Sequence, residues 1–247
     1  MSAKPEATRP SNSAYAARLA IPLLALTTGL ITWGIIEGVH PVFRVPKQFE
    51  VANIGAPAEK FEANRLARNR VDRQHAALYM GTLGALLALA ITTARAIRRG
   101  SPLPAMIALP LGGLSGAAGG YAGNVVLEYI TATVGQAELM HTVGVQSTLF
   151  GLLGLGVGLA YGVTEASSSK PQAARQSVAR AIAGLIAGAL AGVVFSVAVS
   201  ILMPGASTDF LMPTDSISRA LWLGVASALI GLIVPARESR QAPPAAT

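Results

Sequence analysis

Two pairs of side chains in this chain have the spacing of metal ligands. Glu37 precedes His40 by three residues, and Glu138 precedes His141 in the same way. Residues three apart share a helix face, so each carboxylate could hold one ion together with its imidazole. With His75, the remaining histidine, these residues suggest a divalent-metal or proton-sensing site formed by Glu37, His40, His75, Glu138 and His141.

The same five residues fit a second interpretation, because histidine and glutamate are ordinary residues at a membrane boundary. Paired Glu-x-x-His motifs in di-metal bundles need further bridging glutamates, and here only Glu128 and Asp72 are candidates. The absence of cysteine excludes a disulfide, a thiolate metal site and a cysteine nucleophile. A metal site and unconnected interfacial residues therefore both stay open.

Other chemical signatures are missing from the sequence. It contains no Walker loop, no G-x-S-x-G elbow, no HExxH and no Cys-x-x-Cys. The predicted spans also lack titratable residues at their centres. We therefore expect a protein that is not an enzyme and needs no cofactor, with a divalent metal as the one exception.

The candidate ligands lie near the ends of long apolar segments. Of 247 residues, 52% are hydrophobic and 13% charged, and a soluble domain carries about 25% charged residues. A helix needs about 20 mainly apolar residues to cross a bilayer. Six segments approach or exceed this length: 19–39, 75–97, 103–123, 143–163, 181–203 and 220–234. The sequence predicts an all-α, polytopic membrane bundle of about six transmembrane helices.

These spans divide the chain into five parts. We expect a disordered cytoplasmic segment (1–18), a first transmembrane helix (19–39), an extracytoplasmic segment with a basic helix (40–74), a glycine-rich five-helix bundle (75–235) and a disordered cytoplasmic tail (236–247). Residues 58–80 contain neither Gly nor Pro, and Pro57 suits the first turn of a helix. One long helix is therefore expected to begin near Pro57, outside the membrane, and to continue into the second span.

Basic residues predict the orientation, because Lys and Arg favour the cytoplasmic side in short loops. Eleven of them lie before the first span, after the second, after the fourth or in the tail, whereas the opposite short loops hold only Arg219. Both ends of the chain are therefore expected in the cytoplasm, in a bacterial inner membrane. Segment 40–74 is an exception, with seven basic residues on the outer side.

Four side chains near span ends have predicted positions. Glu37 and Arg95 are the only formal charges inside the predicted spans, and they are expected to extend to the membrane boundary. Trp33 and Trp222 are expected in the aromatic belt.

Glycines recur every fourth residue in three of the spans. These positions share one helix face, where another backbone can approach closely. The ladders are Gly112, Gly116 and Gly120, then Gly154, Gly158 and Gly162, then Gly184, Gly188 and Gly192. They predict close packing of spans three to six.

The spans also suggest an internal repeat. Spans two and three resemble spans four and five, as in a duplicated helical hairpin, and the sixth span resembles the first half of a third copy. Chance similarity among small apolar residues is the alternative.

Two functions are compatible with these features. One is a passive or weakly coupled conduit or transporter subunit for a small solute or ion. The other is a non-enzymatic structural or accessory protein that binds partners through the glycine faces and the basic outer helix. Expected partners are the lipid bilayer and a second copy or another membrane protein. Nucleic acid is not expected, because the basic residues lie near both membrane faces without an aromatic platform.

Overall fold

The fold is a bundle of long helices. A computed structural model of the chain describes residues 12–50, 57–99, 104–134, 139–166, 170–202, 211–213 and 215–236. The helices of this part are α1 (Asn12–Val39), α2 (Ala58–Arg99), α3 (Pro104–Val134), α4 (Leu139–Ala166), α5 (Lys170–Leu202) and α6 (Ser216–Ile233). A one-turn 3-10 helix, Lys47–Phe49, lies between α1 and α2. The predicted all-α, multi-pass membrane fold is confirmed.

Five of the six helices are long and apolar enough to span a membrane, and α3 is the exception. Its length does not separate it from the others, because 31 residues extend about 46 Å. Glycine, Ser115 and Asn124 lower its mean hydropathy instead. Because α3 packs between α2 and α4, many of these small and polar residues contact protein and have no need of apolar character.

The long helix expected near Pro57 is confirmed as α2, which begins at Ala58 and continues without interruption to Arg99. Residues 58–74, which we call the arm, contain no buried residue. The chain between α1 and α2 runs beside the arm, where the Asn64 side-chain amide donates to the Phe49 carbonyl at 2.6 Å. We name the two ends of the bundle after this feature, the arm end and the opposite end.

Close helix pairs form where an outer glycine meets an inner carbonyl. In α3, Gly116 lies against the Met80 carbonyl of α2, and in α5, Gly188 lies against the Phe150 carbonyl of α4. A third pair joins α1 to α6, where Gly29 lies against the Leu223 carbonyl. We call α2–α3 hairpin 1, α4–α5 hairpin 2 and α6–α1 hairpin 3. All nine glycines of the predicted ladders lie against a neighbouring helix in hairpins 1 and 2.

The three hairpins follow one another around a common axis. Inner helices α2, α4 and α6 contact one another, and each outer helix also packs on the inner helix of the next hairpin: α3 on α4, α5 on α6 and α1 on α2. The arrangement therefore has pseudo-threefold symmetry. The third copy, of which the sequence suggested only the first half, is completed by α1 from the other end of the chain.

Apolar and aromatic side chains fill the space between the inner helices. Equivalent positions give four layers of three residues each: Tyr79, Leu149 and Trp222; Leu83, Leu153 and Ala226; Leu87, Val157 and Ile230; Ile91, Tyr161 and Val234. Each of these side chains is at most 1% exposed. The axis is therefore closed along these layers.

Candidate functional site

Polar side chains gather at the arm end of the axis, above its first layer. We call this group the polar cluster; its members are Glu37, His40, His75, Tyr79, Gln146, Arg219 and Trp222. They come from α1, α2, α4 and α6 and from the chain that follows α1. Three of the five predicted metal-ligand residues belong to it.

An ion pair joins the end of α1 to the start of α6. Arg219 donates from Nε to Glu37 Oε1 at 2.6 Å and from Nη2 to Oε2 at 3.1 Å. Its Nη1 donates to the Pro213 carbonyl at 3.1 Å. Two parallel hydrogen bonds to one carboxylate fix the geometry as well as the charge. Glu37 therefore meets a buried arginine inside the bundle, and the expectation that it extends to the membrane boundary is wrong.

Two histidines meet beside α2, with ring centroids 5.4 Å apart. The Phe43 backbone N–H donates to His75 Nε2 at 2.9 Å. Because this acceptor nitrogen must keep its lone pair, His75 is neutral while the bond exists. His40 Nδ1 and the Tyr79 hydroxyl are 2.5 Å apart. Burial lowers the pKa of His40, the positive charge of Arg219 lowers it further, and Glu37 partly opposes both, so His40 is also neutral at pH 7.

An amide and an indole connect α4 to α6. Trp222 Nε1 donates to Gln146 Oε1 at 2.7 Å, and Gln146 Nε2 donates to the Leu211 carbonyl at 3.1 Å. Trp222 is 1% exposed, so its predicted place in the aromatic belt is wrong. Its ring packs at 5.4 Å on Phe150 instead. Trp33 lies at the same end of the bundle, where its Nε1 donates to the Ser216 carbonyl at 3.0 Å.

The predicted metal ligands are only partly brought together. His40 and His75 are adjacent, but Glu37 binds Arg219, and His75 Nε2 already accepts a proton donor. His141 lies in the first turn of α4, and Glu138 lies outside the described residues. Among the residues that the structure describes, no three His, Asp or Glu side chains could hold one ion. The metal site stays a prediction, since one of its five residues is not described.

Two arginines share one aromatic ring at the opposite end. The Arg95 guanidinium carbon lies 4.7 Å from the centroid of Tyr161, and that of Arg180 lies 5.4 Å from it. Arg180 Nη1 also donates to the Val234 carbonyl at 2.8 Å, at the end of α6. Arg95 is 5% exposed, so it is buried against Tyr161 and does not extend to the membrane boundary as expected.

A second polar contact lies outside the axis, at the base of the arm. Arg73 Nη2 donates to Glu128 Oε1 at 2.6 Å, and the Asn124 amide donates to the same oxygen at 2.8 Å. The Arg73 guanidinium also lies 5.0 Å from the Tyr121 ring centroid. These contacts hold the arm against the end of α3.

Sequence reasoning missed Tyr79 and Gln146 as members of the polar cluster. Gln146 carried a signal, since it is an amide within an otherwise apolar span. Arg219 carried another, as the only basic residue of the short outer loops. Tyr79 carried none.

Comparison of the chain with protein-family models, with curated proteins and with solved structures found no match.

Proposed function

We propose that this protein is a weakly coupled transporter subunit for a small uncharged solute. The observation that carries the proposal is the ring of three equivalent hairpins around one axis. Repeats related by an axis along the membrane normal occur in several transporter folds, where substrates bind at the interface between repeats. Here that interface is the set of four layers, with the polar cluster at one end.

The composition of the layers favours an uncharged solute. None of the twelve layer residues carries a formal charge, and their polar atoms belong to Tyr79, Tyr161 and Trp222. An ion leaving water for such surroundings would have to give up its hydration without a compensating charge. For the same reason the layers offer no carboxylate for coupling to protons, so transport would run down the solute gradient.

The closed axis favours a transporter over an open conduit. Because the layer residues are at most 1% exposed, a solute could pass only if one hairpin moved relative to the others. We place the protein in a bacterial inner membrane with both chain ends in the cytoplasm, on the strength of its basic residues.

A swelling assay tests this proposal. Proteoliposomes containing the purified protein are mixed with an excess of glycerol or urea, and light scattering follows solute entry. We expect entry several times faster than into protein-free liposomes. Ala226→Leu adds bulk to the axis and should slow entry, whereas Leu232→Phe, at a residue 52% exposed on the same helix, should not. Equal rates with and without protein, for both solutes, would contradict the proposal.

A second candidate function, an accessory protein, is favoured by the arm. Phe61 and Leu66 are 50% and 58% exposed there. The ladder glycines face helices of their own chain, so a partner would have to use another surface, and the arm offers one. A photo-cross-linker at Leu66 that gives one stoichiometric adduct in membranes, together with absent solute entry, would favour this function over transport.

A further inference from the structure

Hairpin 3 meets the other two hairpins in a different way from how those two meet each other. Between hairpins 1 and 2, Gly119 lies against the Leu149 carbonyl of α4, and Gly156 lies against Ser115 of α3. This lets the backbones of α3 and α4 approach closely. No described glycine has its nearest neighbours across the α1–α2 or the α5–α6 contact.

Larger side chains occupy the corresponding positions of the other outer helices. They are Thr28, Thr32 and Ile36 on α1, and Ala187, Ala191 and Phe195 on α5, and all six are buried. The hydroxyls of Thr28 and Thr32 donate to carbonyls of α1 itself. Packing across these two contacts is therefore between side chains, which can slide more easily than interlocked backbones.

Hairpin 3 is firmly connected internally. Gly29 lies against the Leu223 carbonyl, and Gly231 lies against Ala25. The Glu37–Arg219 ion pair and the bond from Trp33 to Ser216 both join α1 to α6. Hairpins 1 and 2 are joined to each other by the glycines of α3 and α4. The contacts therefore define two bodies: α6–α1, and α2 to α5.

Hydrogen bonds bridge these two bodies at both ends of the axis. At the arm end, Trp222 of α6 donates to Gln146 of α4 at 2.7 Å, and His40, just after α1, contacts Tyr79 of α2. At the opposite end, Arg180 of α5 donates to the Val234 carbonyl at 2.8 Å. The apolar layers lie between these bridges.

We propose that hairpin 3 moves as one body against hairpins 1 and 2, and that the bridging hydrogen bonds at each end hold the closed state. Breaking the arm-end bridges while the Arg180 bridge holds opens the axis toward the arm. Breaking the Arg180 bridge opens it toward the other side. This inference deepens the proposed transport function and rests on it for its purpose, although the motion can be measured independently.

Distances between spin labels test this motion, and the cysteine-free chain allows unique labelling. Ile217→Cys with Leu78→Cys reports across the two bodies. Leu30→Cys with Leu232→Cys reports within hairpin 3, and Leu114→Cys with Ile182→Cys reports within the other body. All six positions are exposed. In nanodiscs we expect two distances for the first pair and one for each control pair.

Two matched substitutions test the role of the bridge. Trp222→Phe keeps an aromatic ring and removes the bond to Gln146, so the longer distance should become about fivefold more populated relative to the shorter one. Trp33→Phe removes a bond within hairpin 3 and should leave that ratio unchanged. If Trp222→Phe fails to fold, Gln146→Leu removes the same bond from the other side.

The outcomes separate this inference from the proposed function. A single distance for the cross-body pair in the wild-type protein and in the bridge variant overturns the inference, as does equal broadening of all three pairs. Two distances without solute entry into liposomes leave the motion standing and remove transport. Solute entry with a single distance leaves transport standing and removes this motion.

Discussion

At the scale of residues, the Glu37–Arg219 pair shows how a membrane bundle uses a charge. The two residues are 182 positions apart in the chain, and their contact joins its first and last helices. Arg219 is 8% exposed at its side chain, so it depends on Glu37 and the Pro213 carbonyl to replace water. A buried charge without its partner is costly.

Glu37→Gln should lower the free energy of unfolding by about 2 kcal/mol, because Arg219 would keep its burial and lose its counter-charge. Helical circular dichroism during denaturation in mild detergent measures the change. Glu62→Gln is the control, since the Glu62–Arg65 pair is exposed and exposed pairs contribute little. An unchanged unfolding midpoint in Glu37→Gln would show that the ion pair does not stabilise the bundle.

At the scale of elements, glycine position decides which helices approach closely. In hairpin 2, a Cβ at Gly188 would overlap the Phe150 carbonyl, and one at Gly154 would overlap the Gly184 carbonyl. Backbone atoms cannot yield as the far end of a flexible side chain can. The four-residue spacing thus positions α4 and α5, and with them Gln146 and Tyr161 at the two ends of the axis.

Gly188→Leu should force α4 and α5 apart and strongly reduce the yield of folded, monodisperse protein. Size-exclusion chromatography in mild detergent measures this yield. Gly144→Leu is the matched control, because a Cβ there has no neighbour within 4 Å, and it should behave as the wild type does. Equal yields from the two variants would mean that close packing at Gly188 is dispensable.

At the scale of the whole molecule, the two ends of the bundle differ in charge. Segments that adjoin the end opposite the arm contain eleven basic and three acidic residues by chain order, and those at the arm end contain eight and nine. The net charge of +7 therefore resides at one end. The basic residues of segment 40–74, an exception to the orientation rule, are offset by acidic residues at their own end. An anionic leaflet would attract the opposite end.

Membrane-impermeant thiol labelling checks this orientation. Lys47→Cys lies in the exposed 3-10 helix and Arg175→Cys lies on an exposed position of α5. In intact bacterial cells Lys47→Cys should be labelled, and Arg175→Cys should be labelled only after the membrane is opened. The reverse pattern would place the arm in the cytoplasm and invert the proposed orientation.

The sequence by itself determined the features that depend on neighbours in the chain. Hydropathy identified the apolar segments, the run without Gly or Pro from residue 58 identified the long α2, and four-residue spacing identified the glycine faces. These are consequences of helix geometry and local composition, so they need no knowledge of tertiary contacts. The similarity of spans two and three to four and five likewise indicated the repeated hairpin.

Only the tertiary structure decided which faces meet. It paired α1 with α6 and so completed a third hairpin. It buried Trp222 and Arg95, which local position had assigned to the membrane boundary, and it turned Glu37 toward Arg219. Each of these outcomes depends on residues far apart in the chain, and the periodicity of one helix identifies its buried face without identifying the helix that covers it. The closed axis follows from the same contacts, because its layers take one residue from each of three helices.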